Sequence, residues 1–370
     1  MIKNLNIVSF NIPAPADYGG VIDVFYRIQA LSKAGVRVYL HCFQYGRAES
    51  PELEAMCEKV FYYPRPRTLF HQFSFLPFIV NTRKNNELLK NLLQNDYPIL
   101  FEGLHTCYYL TNKKLRKRVK IVRSHNIEHH YYSGLAARTS HGLKKIYFSI
   151  EARRLKRFER VYRFADRLGA ISESDFEYLG KKYGKKVFLM PPSHPNNEVK
   201  SLPGRGDFIL YQGNLEVEEN REAALFVIER IAPNVDFQFV IAGKNPCESL
   251  VVAAQNQSNV RLVANPNSTS MDEMIANAHI NFLPTFQSTG FKLKLINALF
   301  NGRFCVGTRQ LVAGTGLGDM VVCCASDAGL IRELKWLITQ EFTNDNIEKR
   351  KALLKEFSNS ASVSRLLNMF

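Results

Sequence analysis

The sequence predicts an α/β protein built from two doubly wound parallel sheets. Three observations carry that expectation. Apolar runs of strand length alternate with amphipathic segments at helical spacing through both halves of the chain. The alternation is interrupted once, by Pro191-Pro192-Ser193-His194-Pro195 and a polar stretch to Gly206, and then restarts. Short glycine-bearing or polar segments follow several strand-like runs, where open parallel sheets hold their ligands.

The first half opens with a strand over Leu5 to Phe10 and an amphipathic helix over Val21 to Ala34, with Phe25, Ile28 and Leu31 inward. Gly35 ends that helix, and Val36 to Phe43 forms the next strand. Further strands are expected at Lys59 to Tyr63, Ile99 to Glu102, Lys120 to Ser124 and Arg167 to Ile171. Helices are expected at Asn85 to Asn95, Gly142 to Ala165 and Asp175 to Lys182. The long one carries Leu143, Ile146, Ile150, Leu155, Phe158 and Val161 as its apolar stripe. The second half repeats the pattern. Strands are expected at Phe208 to Tyr211, Asp236 to Ala242, Val260 to Leu262, Ile280 to Leu283, Phe304 to Val306 and Met320 to Cys324. Helices are expected at Arg221 to Ile231, Met271 to Ala276 and Ala328 to Thr339, with one or two more over Ile347 to Phe370. The domains are therefore 1–195, 196–345 and a terminal helical segment 346–370, whose return to the first domain stays open. Two such halves joined by a proline-rich hinge are expected to hold a ligand between them.

At 370 residues the chain can bury two cores, and 46% hydrophobic with 22% charged residues is an ordinary globular composition. No apolar run reaches the roughly 18 residues of a membrane-spanning helix, and the N-terminus reads as a strand, not a leader. The seven cysteines are scattered without a C-x-x-C pair, which suits reduced thiols in the cytoplasm. A net charge of +15 points to acidic partners: nucleic acid, anionic lipid or phosphorylated small molecules.

The richest segment is Ser288 to Val306, S-T-G-F-K-L-K-L-I-N-A-L-F-N-G-R-F-C-V. A small-residue loop opens a helix with Leu293, Ile296 and Phe300 on one face. Free N–H groups and the helix dipole favour an anion there. Lys292 and Lys294 in the first turn oppose the dipole unless an anion is present. The spacing suits a diphosphate; solvated helix lysines are the plain alternative.

Other groups lie at strand ends. Tyr18-Gly19-Gly20 is a substrate loop or a tight turn. Arg123-Ser124-His125-Asn126-Ile127-Glu128-His129-His130 crowds ionisable groups after one strand, with Glu102 and His105 expected nearby. The spacing lacks a zincin pattern, so no metal is expected; one histidine is expected to donate into the site while the others sit on a solvated turn. Gly213-Asn214 and Gly243-Lys244 close two strands of the second half; Asn220 reads as a helix N-cap, and Gly213 alternatively lets a diphosphate or ribose approach the backbone.

Together these motifs resemble the GT-B glycosyltransferases, particularly the retaining family-4 kind. The resemblance spans nearly the whole chain. Gly19-Gly20 is similar to that family's glycine loop, His125 to its active-site histidine, and Ala170 to Asp175 to the segment before its hinge. Gly213-Asn214, Ile241-Ala242-Gly243 and Pro284 to Val306 are similar to its donor-site segments. The resemblance implies two Rossmann-like domains facing across a cleft and metal-independent transfer from a nucleotide sugar, with no separate cofactor. It implies that Lys292 and Lys294 hold the donor diphosphate, with Gly290 and Phe291 presenting N–H groups. His125 would contact the transferred sugar. Gly213, Asn214, Gly243, Lys244, Thr289 and Asn297 would complete the donor site, and Gly19, Gly20, Glu102, His105 and Asn126 the acceptor side. The family's two glutamates are replaced by Thr289 and Asn297, and a neutral hydrogen bond is weaker than a charge-assisted one.

The acceptor is expected to be a glycan or a lipid-linked sugar. Aromatics and arginines interleave over Tyr62 to Phe70 and Phe73 to Val80, and His141 to Arg167 is very basic. These segments either lie on an anionic membrane surface or solvate their charges. The other readings are a non-catalytic sugar-nucleotide-binding protein, a sugar-phosphate epimerase of the same fold, and a nucleic-acid-binding protein; no nucleic-acid module supports the last.

Overall fold

The computed structural model describes every residue except 1, 67, 69, 70, 72, 73, 140 and 287–289. The chain divides into two compact units. The first comprises Met1–Pro195, Thr289–Phe291 and Asn359–Phe370; the second comprises Asn196–Ser288 and Lys292–Ser358.

The first unit holds β1 (Asn4–Ser9), β2 (Arg37–Gln44), β3 (Lys59–Pro64), β4 (Ile99–Glu102), β5 (Lys120–Ser124), β6 (Arg167–Ala170) and β7 (Val187–Leu189). Its helices are α1 (Gly19–Lys33), α2 (Pro51–Met56), α3 (Phe78–Asn81), α4 (Asn86–Leu92), α5 (Glu128–Arg138), α6 (Gly142–Phe158) and α7 (Glu173–Tyr183). The strands run parallel in the order β3-β2-β1-β4-β5-β6-β7. The order reverses between β1 and β4, so the chain leaves a crevice at the carboxyl ends of those strands. Successive strand residues serve opposite faces. Val8, Phe101 and Val122 pack in one cluster, and Ile7, Leu100 and Ile121 in the other.

The second unit holds β8 (Phe208–Asn214), β9 (Gln238–Lys244), β10 (Val260–Ala264), β11 (Ile280–Phe282), β12 (Phe304–Thr308) and β13 (Val322–Cys324). Its helices are α8 (Glu218–Phe226), α9 (Glu248–Gln255), α10 (Ser268–Asn277), α11 (Leu293–Asn301), α12 (Arg309–Val312), α13 (Asp327–Ile338) and α14 (Asn344–Leu354). The parallel order is β10-β9-β8-β11-β12-β13, with its reversal between β8 and β11. The last helix, α15 (Asn359–Leu367), belongs to the first unit and buries Val363 and Leu366 beside Val24, Phe25 and Ile28 of α1.

Several sequence expectations need correction. The long helix stops at Phe158 and continues as a 3₁₀ segment over Glu159–Phe164. Only the second part of its expected apolar stripe turns inward: Leu155 is buried, with Phe158 and Val161 packed beside the core, whereas Leu143, Ile146 and Ile150 are 86%, 58% and 40% exposed, and the helix also buries Glu151 and Ala152. The turn expected after His125 is helix α5, where His129 is buried between Glu159 and Tyr178 while His130 stays exposed. The proline-rich segment is fixed up to His194. Ser193 N–H donates to Asp23 Oδ1 at 2.8 Å, and His194 N–H donates to Asn359 Oδ1 at 3.1 Å. Asn220 is not an N-cap, since α8 already starts at Glu218. The stretches at 67, 69, 70, 72 and 73 of the aromatic–arginine segment lie outside the described residues.

Candidate functional site

In the first unit, the carboxyl ends of β4 and β5 bring Glu102 and His125 together. His125 Nε2 lies 2.7 Å from Glu102 Oε2. Helix α1 supplies two residues that sequence reading missed. Asp23 and Arg27 stand four apart on its buried face and pair with each other. Arg27 Nε also lies 2.9 Å from Glu102 Oε1, and Arg123 Nη1 lies 2.5 Å from Asp23 Oδ2. The signal was available: an Asp and an Arg at i and i+4 within an otherwise apolar helix face.

This network of two guanidiniums, two carboxylates and one imidazole is almost fully buried. Burial alone would raise Glu102, but Arg27, His125 and Arg123 overcome it and hold the carboxyl at about 2. Burial, and then repulsion from Arg27, push Arg123 down to about 10, which still leaves it charged. An ionised Glu102 makes Nε2 the donor nitrogen of His125. Nδ1 then faces Arg123 Nη1 at 3.3 Å and Asp23 Oδ2 at 3.6 Å. The Arg123 guanidinium is therefore a donor to Nδ1.

His105 lies beyond Gly103, and the Phe10 ring stands between it and His125, with centroids at 5.5 and 5.3 Å. Gly20 is glycine for a local reason: a Cβ there would meet Phe10 Cζ at 2.8 Å. Gly19 and Gly20 are the first residues of α1, not a loop before it. Asn126 is half-buried, and its carbonyl accepts from Ser124 Oγ at 2.9 Å. Gly290 has φ +73°, and a Cβ there would approach Asn126 Oδ1 to 2.9 Å. Gly290 and Phe291 fall in the first unit, whereas Lys292 and Lys294 fall in the second. Thr289 lies outside the described residues.

In the second unit, the N-termini of α8 and α11 meet. Lys292 Nζ lies 3.2 Å from Glu219 Oε1. Lys294 Nζ lies 3.2 Å from Asn220 Oδ1 and 5.0 Å from the Tyr211 ring centroid. Burial, aided by Lys292, pushes Lys294 down to about 8 against the pull of Glu219. Glu219 is the other residue missed, and its place in the first turn of α8 was the clue. Asn220 Nδ2 also donates to Asn214 O at 3.0 Å, which ties the β8–α8 turn to the lysine site. Gly213 faces Asn220, and Gly243 has a packing role: a Cβ there would fall 1.9 Å from Gly213 O. Lys244 is exposed and Asn214 caps its own turn. Asn297 Oδ1 accepts from Asn196 at 2.8 Å, and its Nδ2 has no hydrogen-bond partner among the described residues.

Residues 206–340, from β8 through α13, match the family model described as Glycosyl transferases group 1. That match covers most of the second unit and none of the first. The two sheets are those of the GT-B fold, shared with solved glycosyltransferases at low identity. A variant of S. aureus TarM solved with UDP superposes with a TM-score of 0.65 at 9% identity, over 100% of this chain and 99% of that one. The glycosyltransferase from Rickettsia africae gives 0.64 at 12%, over 100% and 97%. The catalytic domain of Starch Synthase IV from Arabidopsis thaliana, bound to ADP and acarbose, gives 0.64 at 13%, over 100% and 98%. An uncharacterised 44.6 kDa protein in the cps region of Klebsiella pneumoniae is 27% identical over 331 residues, 84% of each chain. No described helix is long and apolar enough to cross a membrane.

Proposed function

We propose that the protein transfers a hexosyl unit from a nucleotide-sugar donor to a glycan or lipid-linked acceptor, with retention and without a metal ion or separate cofactor. One observation carries this reading: two cationic side chains stand at the joined N-termini of two helices within the glycosyltransferase domain. The structural relatives solved with UDP and ADP support a nucleotide diphosphate there. The relative in a cps region supports polysaccharide assembly as the setting.

As the glycosidic bond breaks, charge develops on the leaving diphosphate. Lys292, Lys294 and the N–H groups of α11 would stabilise it, and losing one such group typically costs about 10²–10³ in turnover. Asp23 and Glu102 are both held by guanidiniums, so neither is assigned as a nucleophile. The leaving phosphate then takes the acceptor proton on the same face. The test is nucleotide-sugar affinity of Lys292→Ala; an unchanged value overturns the assignment.

The exposed stripe Leu143, Ile146 and Ile150, flanked by Lys144 and Lys145, supports a cytoplasmic protein docked on an anionic membrane surface. A second reading, binding without transfer, is favoured by Asn297 in place of a glutamate. Nucleotide-sugar binding without hydrolysis or transfer would establish it.

A further inference from the structure

Arg83 follows α3, and its side chain turns into the first unit until it is 4% exposed. Nε donates to Phe10 O at 2.8 Å and Nη1 to Ile79 O at 2.5 Å. Nη2 has no hydrogen-bond partner among the described residues, and no carboxylate among them pairs with this guanidinium. The equally buried Arg27 and Arg123 each pair with carboxylates. Three other buried arginines are met by carbonyls, a side-chain amide or a hydroxyl, and each makes three such bonds: Arg118, Arg303 and Arg350. Arg83 makes two.

The surroundings add positive charge and little to balance it. Arg65 is close enough to weaken the Arg83 charge further. Glu128 is the acidic group that acts on Arg83, but burial pushes its carboxyl up to about 8, so it is uncharged at neutral pH. Its Oε1 stays 3.9 Å from His105 Nδ1, too far for a hydrogen bond, and that nitrogen is buried without a partner. Burial and Arg83 keep His105 neutral. A buried, uncompensated cation beside an unsatisfied imidazole nitrogen is costly unless a ligand supplies the missing charge. Phe10 links this corner to His125, the proposed sugar contact.

We propose that Arg83, with Arg65 and His105, forms an oxyanion subsite, and that the acceptor carries a carboxylate or phosphate near the hydroxyl that is glycosylated. This rests on the glycosyltransferase reading above and narrows its acceptor class. Glucuronate, glycerol 3-phosphate and glucose are the probes, titrated calorimetrically into the full chain. One or both anions bind and glucose does not; which anion binds separates a sugar carboxylate from a phosphate source. Arg83→Gln weakens that binding by about tenfold or more, while Lys292→Ala leaves it intact. Arg83→Lys, which keeps the charge, retains part of it and guards against a folding defect in the Gln variant. Anion binding that survives Arg83→Gln, or that is absent in the wild type, overturns the subsite. Nucleotide-sugar binding, measured on the same samples, stays intact in Arg83→Gln, so a failure of the donor reading is seen separately.

Discussion

Lys294 lies over the Tyr211 ring, and its ammonium is desolvated to about 8. Its folded value is depressed below the ordinary lysine value, so the unfolded chain binds more protons between pH 8 and about 10.5. Stability contributed by this group therefore rises with pH across that window, and at neutral pH the charge is a cost to the fold. Lys294→Met should raise Tm by a few degrees while weakening nucleotide-diphosphate binding; a lower Tm with unchanged affinity would reverse both roles. In the wild type, donor affinity should fall as pH rises through about 8, when the ammonium loses its proton. A flat affinity profile from pH 7 to 9 would refute this. Glu102 has the opposite sign. Its carboxyl is held at about 2, so the stability it supplies is full above roughly pH 4.5 and is lost as pH falls towards 2. Glu102→Gln leaves Arg27 and His125 without their buried carboxylate and should cost about 3–5 kcal/mol in urea melts. A loss below about 1 kcal/mol would mean that the network relaxes without it.

At the scale of elements, helix ends decide the site. α8 and α11 present their first turns to each other, so Glu219 and Asn220 of one receive Lys292 and Lys294 of the other. The lysines oppose the dipole of their own helix, a penalty that the proposed diphosphate would reverse. Helix α6 poses a different case. It turns Leu143, Ile146 and Ile150 to solvent and buries Glu151, which accepts from Phe78 N–H at 2.7 Å and pairs with Arg154. Replacing Leu143 and Ile146 with glutamate should reduce cosedimentation with phosphatidylglycerol vesicles by about tenfold or more. Nucleotide binding should be unaffected, and salt should weaken the wild-type interaction. Equal sedimentation of variant and wild type would remove the membrane role.

At the scale of the molecule, the chain's end completes the first unit's core. Val363 and Leu366 are buried against α1, and Asn359 holds the backbone of His194 through two hydrogen bonds of 3.1 and 2.6 Å. Removing residues 359–370 exposes two aliphatic side chains, each worth roughly 1.5–3 kcal/mol. Hydrogen exchange should then accelerate in α1, β1 and β2 and stay unchanged in β8, β9 and β12. Equal protection in both units would show that the last helix is dispensable.

The periodicity of apolar residues determined the two parallel sheets, because a strand buried on both faces must be apolar throughout and its crossover helix must be amphipathic. The strand-like runs also place Glu102, His125 and Gly213 at the carboxyl ends of β4, β5 and β8. Partnership was decided only by the tertiary structure. Asp23 and Arg27 read as ordinary helix residues until α1 is laid on the sheet, where Glu102 and Arg123 become their counter-charges. Leu143, Ile146 and Ile150 of α6 read as core because spacing reports a face and not what covers it. Whether a charge is paired, as on Arg27, or left without a carboxylate, as on Arg83, depends on distances between segments far apart in the chain. No local pattern encodes those distances.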